Sequence, residues 1–262
     1  MISRTARRAL ALLLATFCAN AFAVPPYGGT IFIDPNIISD ETPTTYIATS
    51  YKGQGIRNMF DRRTNMYADY NAYLFDVTYS DSSVVEFEVN PEYGSSVAAQ
   101  VPVAYYAPVI GRLPRVLRTY VQRVWVHMGD EVFGGGSGCC LLIHTGSYAQ
   151  SYIDAGILEE ALAHEATHTS LDATIANSPG WLAAQAADAE FISDYAHDYP
   201  DREDVAESFV PFLAVTASGS AVGATVRATI EATIPHRLAY FRAQGFNLSP
   251  MPTIFADGFD GW

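Results

Sequence analysis

The chain has 262 residues, of which 49% are hydrophobic and 16% charged, and its formal charge at neutral pH is −13. This length and apolar content suffice for one good-sized domain or two small ones. The acidity argues against nucleic acid or an anionic membrane as a partner, and three cysteines exclude a disulfide-rich scaffold.

Residues 1–23 have the three parts of a secretory signal peptide. A positive start with three arginines precedes an apolar stretch at residues 9–17, and an Ala-Phe-Ala cleavage pattern ends at Ala23. The apolar stretch is too short for a membrane span and no second one follows. Cleavage would remove three arginines and no acid, and so change the formal charge from −13 to −16. We therefore expect a secreted or periplasmic protein without a membrane span.

Residues 24–110 predict a β-rich N-terminal region. Short runs of β-forming residues occur at 31–33, 73–77 and 84–89, and the last alternates like a strand with one solvated face. The Asp-Ser-Ser sequence at 81–83 predicts a turn that joins the second and third runs as a hairpin. The region has no cysteine switch and no basic processing site beyond Arg62-Arg63, so we expect it to remain in the mature protein.

The next region, residues 111–246, mixes helical and β-type segments. The pattern predicts a helix, a strand, a flexible glycine-rich connection and a second strand at residues 113–121, 124–128, 134–138 and 139–145. We expect residues 141–145 to be the edge strand that pairs with an extended ligand. Cys139 and Cys140 would point to opposite faces of this strand, which predicts two buried thiols rather than a disulfide.

The C-terminal part is predicted to be helical. A helix capped by Asp154 is followed by three more predicted helices at residues 181–195, 201–215 and 223–244. Residues 247–262 form a separate tail. The order of β-rich, mixed and helical segments predicts an α+β fold, and the sequence carries no signal for an oligomeric state.

The first predicted helix of this part contains the sequence His164-Glu165-Ala166-Thr167-His168. On a helix, residues four apart share one face, so both imidazoles can reach one ion, and Glu165 can address a water molecule beside it. This H-E-x-x-H pattern is typical of zinc peptidases. The alternative is an ordinary surface helix with two solvated histidines. Surface helices usually carry Lys and Arg, however, and the chain has neither between Arg123 and Arg202.

A catalytic zinc requires a third protein ligand and leaves one position open. Glu203 and Glu207 are four residues apart on a predicted helix, so one can bind the metal while the other holds a ligand histidine. Asp172 lies four residues beyond His168 and competes for the role of ligand, although it would reach the ion poorly from the same helix. From the residues alone, the third ligand is therefore Glu203, Glu207 or Asp172.

The H-E-x-x-H motif, a following tyrosine and the sequence Glu-Asp-Val-Ala-Glu-Ser-Phe at 203–209 together resemble the catalytic domain of gluzincin peptidases of the anthrax lethal factor-like and Pro-Pro endopeptidase-like type. The resemblance covers about residues 140–210. It implies a zincin-like domain with a mixed sheet and an active-site helix. It also implies Glu203 as zinc ligand, Glu207 as its support and Tyr195 as the hydroxyl that polarises the scissile carbonyl.

The chain departs from the family pattern near this tyrosine. Tyr195 lies eight residues before Glu203, one more than in the family. Tyr199 or His197, in the same loop, are therefore alternatives for the group that contacts the carbonyl oxygen. Asp204 and Val205 replace a pair of aromatic residues, a change that affects packing rather than chemistry.

The sequence thus predicts an exported zinc-dependent endopeptidase that acts on a protein or peptide, with Glu165 as general base. An alternative is a non-catalytic exported binding or cell-envelope protein that holds a structural zinc on the same fold. A metal-dependent hydrolase of a non-peptide bond is a third possibility, and no motif favours it. Glu165 argues against the structural role, because such a site needs no base.

Overall fold

The computed structural model describes residues 24–136, 138–216 and 222–251. Within these ranges six strands form one sheet: β1 Tyr46–Asp61, β2 Met66–Tyr79, β3 Val84–Val89, β4 Arg123–His127, β5 Gly134–Gly136 and β6 Cys140–His144. The helices are α1 Ser96–Ile110, α2 Arg115–Arg118, α3 Ser147–Asp154, α4 Leu158–Ser170, α5 Asp172–Ile175, α6 Pro179–Ala187, α7 Asp194–Asp198, α8 Asp204–Thr216, α9 Ala224–Thr233 and α10 Pro235–Ala243, with 3-10 helices at Thr30–Phe32 and Pro91–Tyr93. The strands come early and most helices late, so the predicted α+β class is confirmed.

The predicted signal peptide and residues 252–262 of the predicted tail lie outside the described residues. Within the described ranges, no helix combines the length and the apolar character that a membrane span requires.

The sheet is mixed, with strand order β1-β2-β3-β4-β6-β5. The pairs β1–β2 and β2–β3 are antiparallel, β3–β4 and β4–β6 are parallel, and β5 is antiparallel to β6. The predicted hairpin between β2 and β3 is confirmed. Because β3 pairs with β4, strands from residues 24–110 and strands from residues 111–246 belong to one sheet.

Helices cover one face of this sheet. The main core joins Phe87, Val126 and Ile143 of the strands to Leu162 and Phe209 of the helices, all of them buried. Alternate residues of the same strands point to the opposite face, where a smaller apolar cluster includes Trp125 and Leu142. The result is a two-layer arrangement in which α4 lies against the sheet and α8 lies against α4.

One prediction in the N-terminal region is wrong, and two elements there were not predicted. Residues 31–33 do not form a strand, because the chain forms a 3-10 turn at Thr30–Phe32 after the glycine pair at 28 and 29. The long strand β1 was not predicted, since its exposed and polar sequence lacks a continuous β-type run. Helix α1 was also missed, because Pro102 and Pro108 lie inside it.

The prediction that residues 141–145 form the edge strand was wrong. Residues 134–136 are not a flexible connection but form β5, which pairs with β6 and takes the edge position. The predicted pair of thiols was also wrong, since the structure joins Cys139 and Cys140 in a disulfide. Strand β6 begins only at Cys140, so Cys139 lies in the preceding turn and the alternation of a strand does not hold the two side chains apart.

Helix boundaries also differ from the predictions. Asp154 does not cap α4 but ends α3, because Gly156, with φ of +70°, separates the two helices. The segment predicted as one helix at 181–195 forms parts of α6 and α7, and that at 223–244 is divided by Pro235 into α9 and α10. The helix predicted at 113–121 is shorter, at Arg115–Arg118.

Candidate metal centre

Helix α4 carries the two histidines of the H-E-x-x-H motif. All of its residues are buried except Glu165 and His168, which are half-buried. The helix therefore opens to solvent at the motif alone. The Nε2 atoms of His164 and His168 lie 3.2 Å apart, as expected for imidazoles one helical turn apart on the same face.

Glu203, immediately before α8, supplies a third donor atom at the same point. Its Oε2 lies 3.1 Å from Nε2 of His168 and 3.4 Å from Nε2 of His164. Tetrahedral zinc with bonds of about 2.0–2.1 Å would hold its ligand atoms about 3.3–3.4 Å apart. Two imidazole nitrogens and one carboxylate oxygen at these separations therefore fit a zinc ion in both donor chemistry and spacing.

Glu207 and Asp172 contact the other ring nitrogens of the two histidines. Oε1 of Glu207 lies 3.2 Å from Nδ1 of His164, and Oδ2 of Asp172 lies 2.7 Å from Nδ1 of His168. Each carboxylate thus faces the nitrogen that points away from the three-atom cluster. Such contacts fix the tautomer and the orientation of a ligand histidine.

Glu207 is itself held by two distant parts of the chain. Its Oε2 accepts hydrogen bonds from the backbone N–H of Thr30, at 2.9 Å, and from the hydroxyl of Ser193. All three residues are buried. Thr30 and Ser193 were not predicted from the sequence. A backbone N–H leaves no signature in a sequence, and a lone serine has no motif that would mark it.

Glu165 lies on the accessible side of α4, beside β5. A Cβ on Gly135 would overlap the backbone carbonyl of Glu165, so only glycine allows β5 to approach α4 this closely. The side chain of Glu165 lines both cavities that adjoin the candidate centre. It can therefore reach a molecule in either one.

Tyr195, on the short helix α7, is an aromatic residue that contacts the cluster. Its hydroxyl donates a hydrogen bond of 3.0 Å to Oε1 of Glu203, and its ring stacks on His164 with centroids 6.5 Å apart. Arg202 adjoins Glu203 in the sequence but belongs to no motif, and it donates to the same oxygen at 2.8 Å.

The two alternatives to Tyr195 lie farther out. The ring of Tyr199 packs against Tyr195 at 5.3 Å between centroids, and His197 contacts Asp198 and the ring of Phe191. Neither Tyr199 nor His197 lines a cavity beside the candidate centre.

The carboxylates control the charge of the histidines. Burial disfavours the charged imidazolium, but the adjacent carboxylates of Glu203 and Glu207 outweigh it and raise the pKa of His164 to about 10. Burial and the hydrogen bonds to Asp172 and Glu203 act in the same way on His168, whose pKa rises to about 9. Burial would raise the pKa of Glu203, yet both histidines hold it well below its usual range. The carboxylates of Glu203, Glu207 and Asp172 thus place negative charge around the two imidazoles, which would also favour a bound cation.

Two cavities meet at this cluster. The larger, about 1000 Å³, and the smaller, about 390 Å³, share Val132, Phe133, His164, Glu165 and Tyr195 as lining residues. The smaller one also contains His168 and Glu203, together with Gly135 and Gly136 of β5. The candidate centre thus lies on the floor of a continuous cleft, with the edge strand of the sheet at one side.

Comparisons with protein-family models, with curated proteins and with solved structures find no significant match for this chain.

Proposed function

We propose that this protein is an exported zinc-dependent endopeptidase. The observation that carries the proposal is the convergence of His164 Nε2, His168 Nε2 and Glu203 Oε2, at mutual distances of 3.1–3.4 Å, on the floor of a cleft. A zinc ion bound there would act as a Lewis acid on a carbonyl oxygen and would make a water molecule more acidic.

Glu165 is the proposed general base. It follows a ligand histidine directly in the sequence, and its side chain faces the cleft from the one open face of α4. We infer that its carboxylate accepts a proton from the attacking water and passes it to the leaving amine. A protein that used the metal for structure alone would not need a carboxylate here.

Tyr195 is the proposed donor to the carbonyl oxygen. Its hydroxyl hydrogen-bonds to Glu203, so it would exchange this acceptor for the oxygen on which negative charge develops. The exposed fraction of Tyr195 is 38%, which leaves the ring room to move. Arg202 would keep Oε1 of Glu203 hydrogen-bonded during this exchange.

The polypeptide substrate would bind along β5. This strand is one of the two edges of the described sheet, and two of its residues line the cleft. An extended peptide could add to such an edge through backbone hydrogen bonds, which suits a substrate of many sequences. The role first expected for residues 141–145 is accordingly assigned to β5 in this proposal.

Substitution of Glu165 tests the proposal. Glu165→Gln preserves size and hydrogen bonding, so zinc content should remain at the wild-type value while peptide turnover falls at least ~100-fold. Zinc would be measured by elemental analysis and turnover with a peptide library. Loss of zinc in this variant would assign Glu165 to the ligands. Wild-type protein that holds zinc but cleaves no peptide would favour the non-catalytic alternative.

A further inference from the structure

The larger cavity beside the candidate centre is mainly apolar, and the beginning of the described chain forms one of its walls. Tyr27, Ile31 and Phe32 line it on that side, and Phe133, Tyr148 and Tyr152 line it elsewhere. The cavity also reaches His164, Glu165 and Tyr195. A group bound in it would therefore lie directly beside the proposed reacting atoms.

Two aromatic side chains of this cavity are exposed without a role in the core. Phe32 has an exposed fraction of 67% and Tyr148 of 48%. Residues 24–33 include no charged residue, although 43 of the 262 residues in the chain are Lys, Arg, Asp or Glu. Exposed aromatic rings that line a concave, uncharged surface are typical of a surface that binds an apolar group.

Backbone hydrogen bonds fix this N-terminal wall in place. The carbonyl of Tyr27 accepts from the N–H of Asp194 at 2.8 Å, and that of Gly28 accepts from the N–H of Tyr195 at 3.3 Å. The N–H of Thr30 donates to Glu207, which in turn contacts His164. The same residues that position the candidate centre therefore hold the segment, so it is a wall of the cleft rather than an occupant.

The opposite side of the cleft has a different character. The smaller cavity is lined by Arg62, Asp172 and Arg202 in addition to the proposed ligands. Charged side chains would oppose burial of an apolar group there, whereas the wall at residues 26–32 has none. The substrate residues on the two sides of the scissile bond would consequently contact an apolar wall on one side and charged side chains on the other.

We propose that residues 26–32 form a subsite for a large apolar side chain, aromatic or branched aliphatic, next to the scissile bond, and that Phe32 is its specificity-determining residue. This inference rests on the proposed function, because it names the substrate class of the same site. Phe32 is suited to the role since it offers an apolar ring to the cavity and contributes little to the core.

Binding to a variant that does not turn over provides the test. Zinc-loaded Glu165→Gln protein would be titrated with fluorescent hexapeptides that carry Phe, Leu, Ala or Lys at each of the two positions flanking the central bond. At one of these positions, Phe or Leu should bind at least ~10-fold more tightly than Ala, the discrimination typical of an apolar pocket. At the other position we expect no such preference.

Substitutions of Phe32 in the same background assign this preference. Phe32→Ala should reduce the preference for Phe or Leu over Ala to within ~3-fold, and Phe32→Leu should retain most of this preference. Phe32→Glu should bind the Lys peptide more tightly than the Leu peptide. Val97→Ala is the control, since Val97 is exposed to 76% but lies on α1, outside both cavities. Circular dichroism would check that each variant is folded.

An apolar preference that is unchanged in Phe32→Ala and Phe32→Glu, or no preference at either position, would overturn the inference. The wild-type protein separates this failure from failure of the proposed function. Cleavage without an apolar preference would retain the peptidase and reject the subsite. A Phe32-dependent preference in binding, with no cleavage of any peptide by wild-type protein, would retain the subsite and reject the peptidase.

Discussion

At the scale of single residues, the orientation of His164 and His168 depends on carboxylates outside the motif. The helix brings the two rings to one face, but it does not fix rotation about the side-chain bonds. Glu207 and Asp172 do so through the Nδ1 atoms, and this leaves both Nε2 atoms directed at Glu203. The two histidines that the motif reveals are thus oriented by two carboxylates that lie outside the motif.

The two glutamates give distinct predictions. Glu203→Ala removes a proposed ligand, so the protein should lose zinc outright. Glu207→Ala removes only the support of His164, and zinc affinity should weaken ~10–100-fold. A competitive zinc titration of both variants measures the difference, and Asp172→Ala should resemble Glu207→Ala because Asp172 supports His168 in the same way. If Glu207→Ala lost zinc and Glu203→Ala kept it, the two roles would have to be exchanged.

Tyr195→Phe tests the proposed donor to the carbonyl oxygen. The substitution removes one hydroxyl and little volume, so zinc content should not change. The kcat value should fall ~100-fold or more with KM nearly constant, because the lost hydrogen bond belongs to the transition state. Tyr199→Phe is the matched control, as it removes a hydroxyl that lies outside the cavities. A fall in kcat in the control, and none in Tyr195→Phe, would assign the role to Tyr199.

The sequence indicated part of this site and left the rest open for a physical reason. Residue spacing on one helix determines that His164 and His168 can share an ion, so the motif suffices for them. Glu203 and Glu207 lie on one face of a second region, and their spacing is compatible with either as ligand. Only the position of α8 against α4, a tertiary feature, directs Glu203 to the Nε2 atoms and Glu207 to Nδ1.

At the scale of elements, α4 is a buried helix with one accessible face. This explains why it carries no Lys or Arg, since these side chains would have to be buried away from solvent. Its Glu160 is fully buried, and Oε1 accepts a hydrogen bond of 3.0 Å from the N–H of Ile38. The helix thus binds the segment that follows the N-terminal wall.

Glu160 predicts a specific dependence of stability on pH. Burial raises the pKa of this carboxyl to about 8, above its value of about 4.5 in an unfolded chain. The folded state therefore holds a proton that the unfolded state releases between these pH values, and the free energy of unfolding falls as pH rises through the interval. Glu160→Gln mimics the protonated form. It should therefore raise the free energy of unfolding little at pH 4.5 and by about 2–4 kcal/mol at pH 8.

Urea unfolding at several pH values measures this effect. Glu41→Gln, on an exposed side chain, controls for the removal of one negative charge. A stabilisation by Glu160→Gln that did not grow between pH 4.5 and 8 would show that the buried carboxyl is not the source of the pH dependence.

Strand β5 shows why sequence patterns missed the edge of the sheet. A run of three glycines has low β propensity and resembles a flexible connection. The close approach of β5 to α4 nevertheless requires glycine at Gly135, and Gly134 leaves space for the guanidinium of Arg62. Packing of one element on another selected these residues, and such constraints are not visible in local propensity.

At the scale of the whole molecule, the class of fold was predictable and the strand order was not. The succession of β-type and helical segments along the chain is a local property, and it led to the correct α+β class. The sheet, however, pairs β3 with β4 across α1 and inserts β6 between β4 and β5. These pairings depend on which faces are apolar in three dimensions, and α1 itself was hidden by its two prolines.

The measurement that tests the central claim most directly is peptide cleavage by metal-free protein as a function of added zinc. The proposed site has one cluster of three donor atoms, His164, His168 and Glu203, among the residues that the structure describes. We predict no cleavage without metal and a rise in rate that reaches its plateau at one zinc per chain. Cleavage that does not depend on zinc, or a protein that binds zinc at this stoichiometry and cleaves no peptide of a diverse library, would contradict the account.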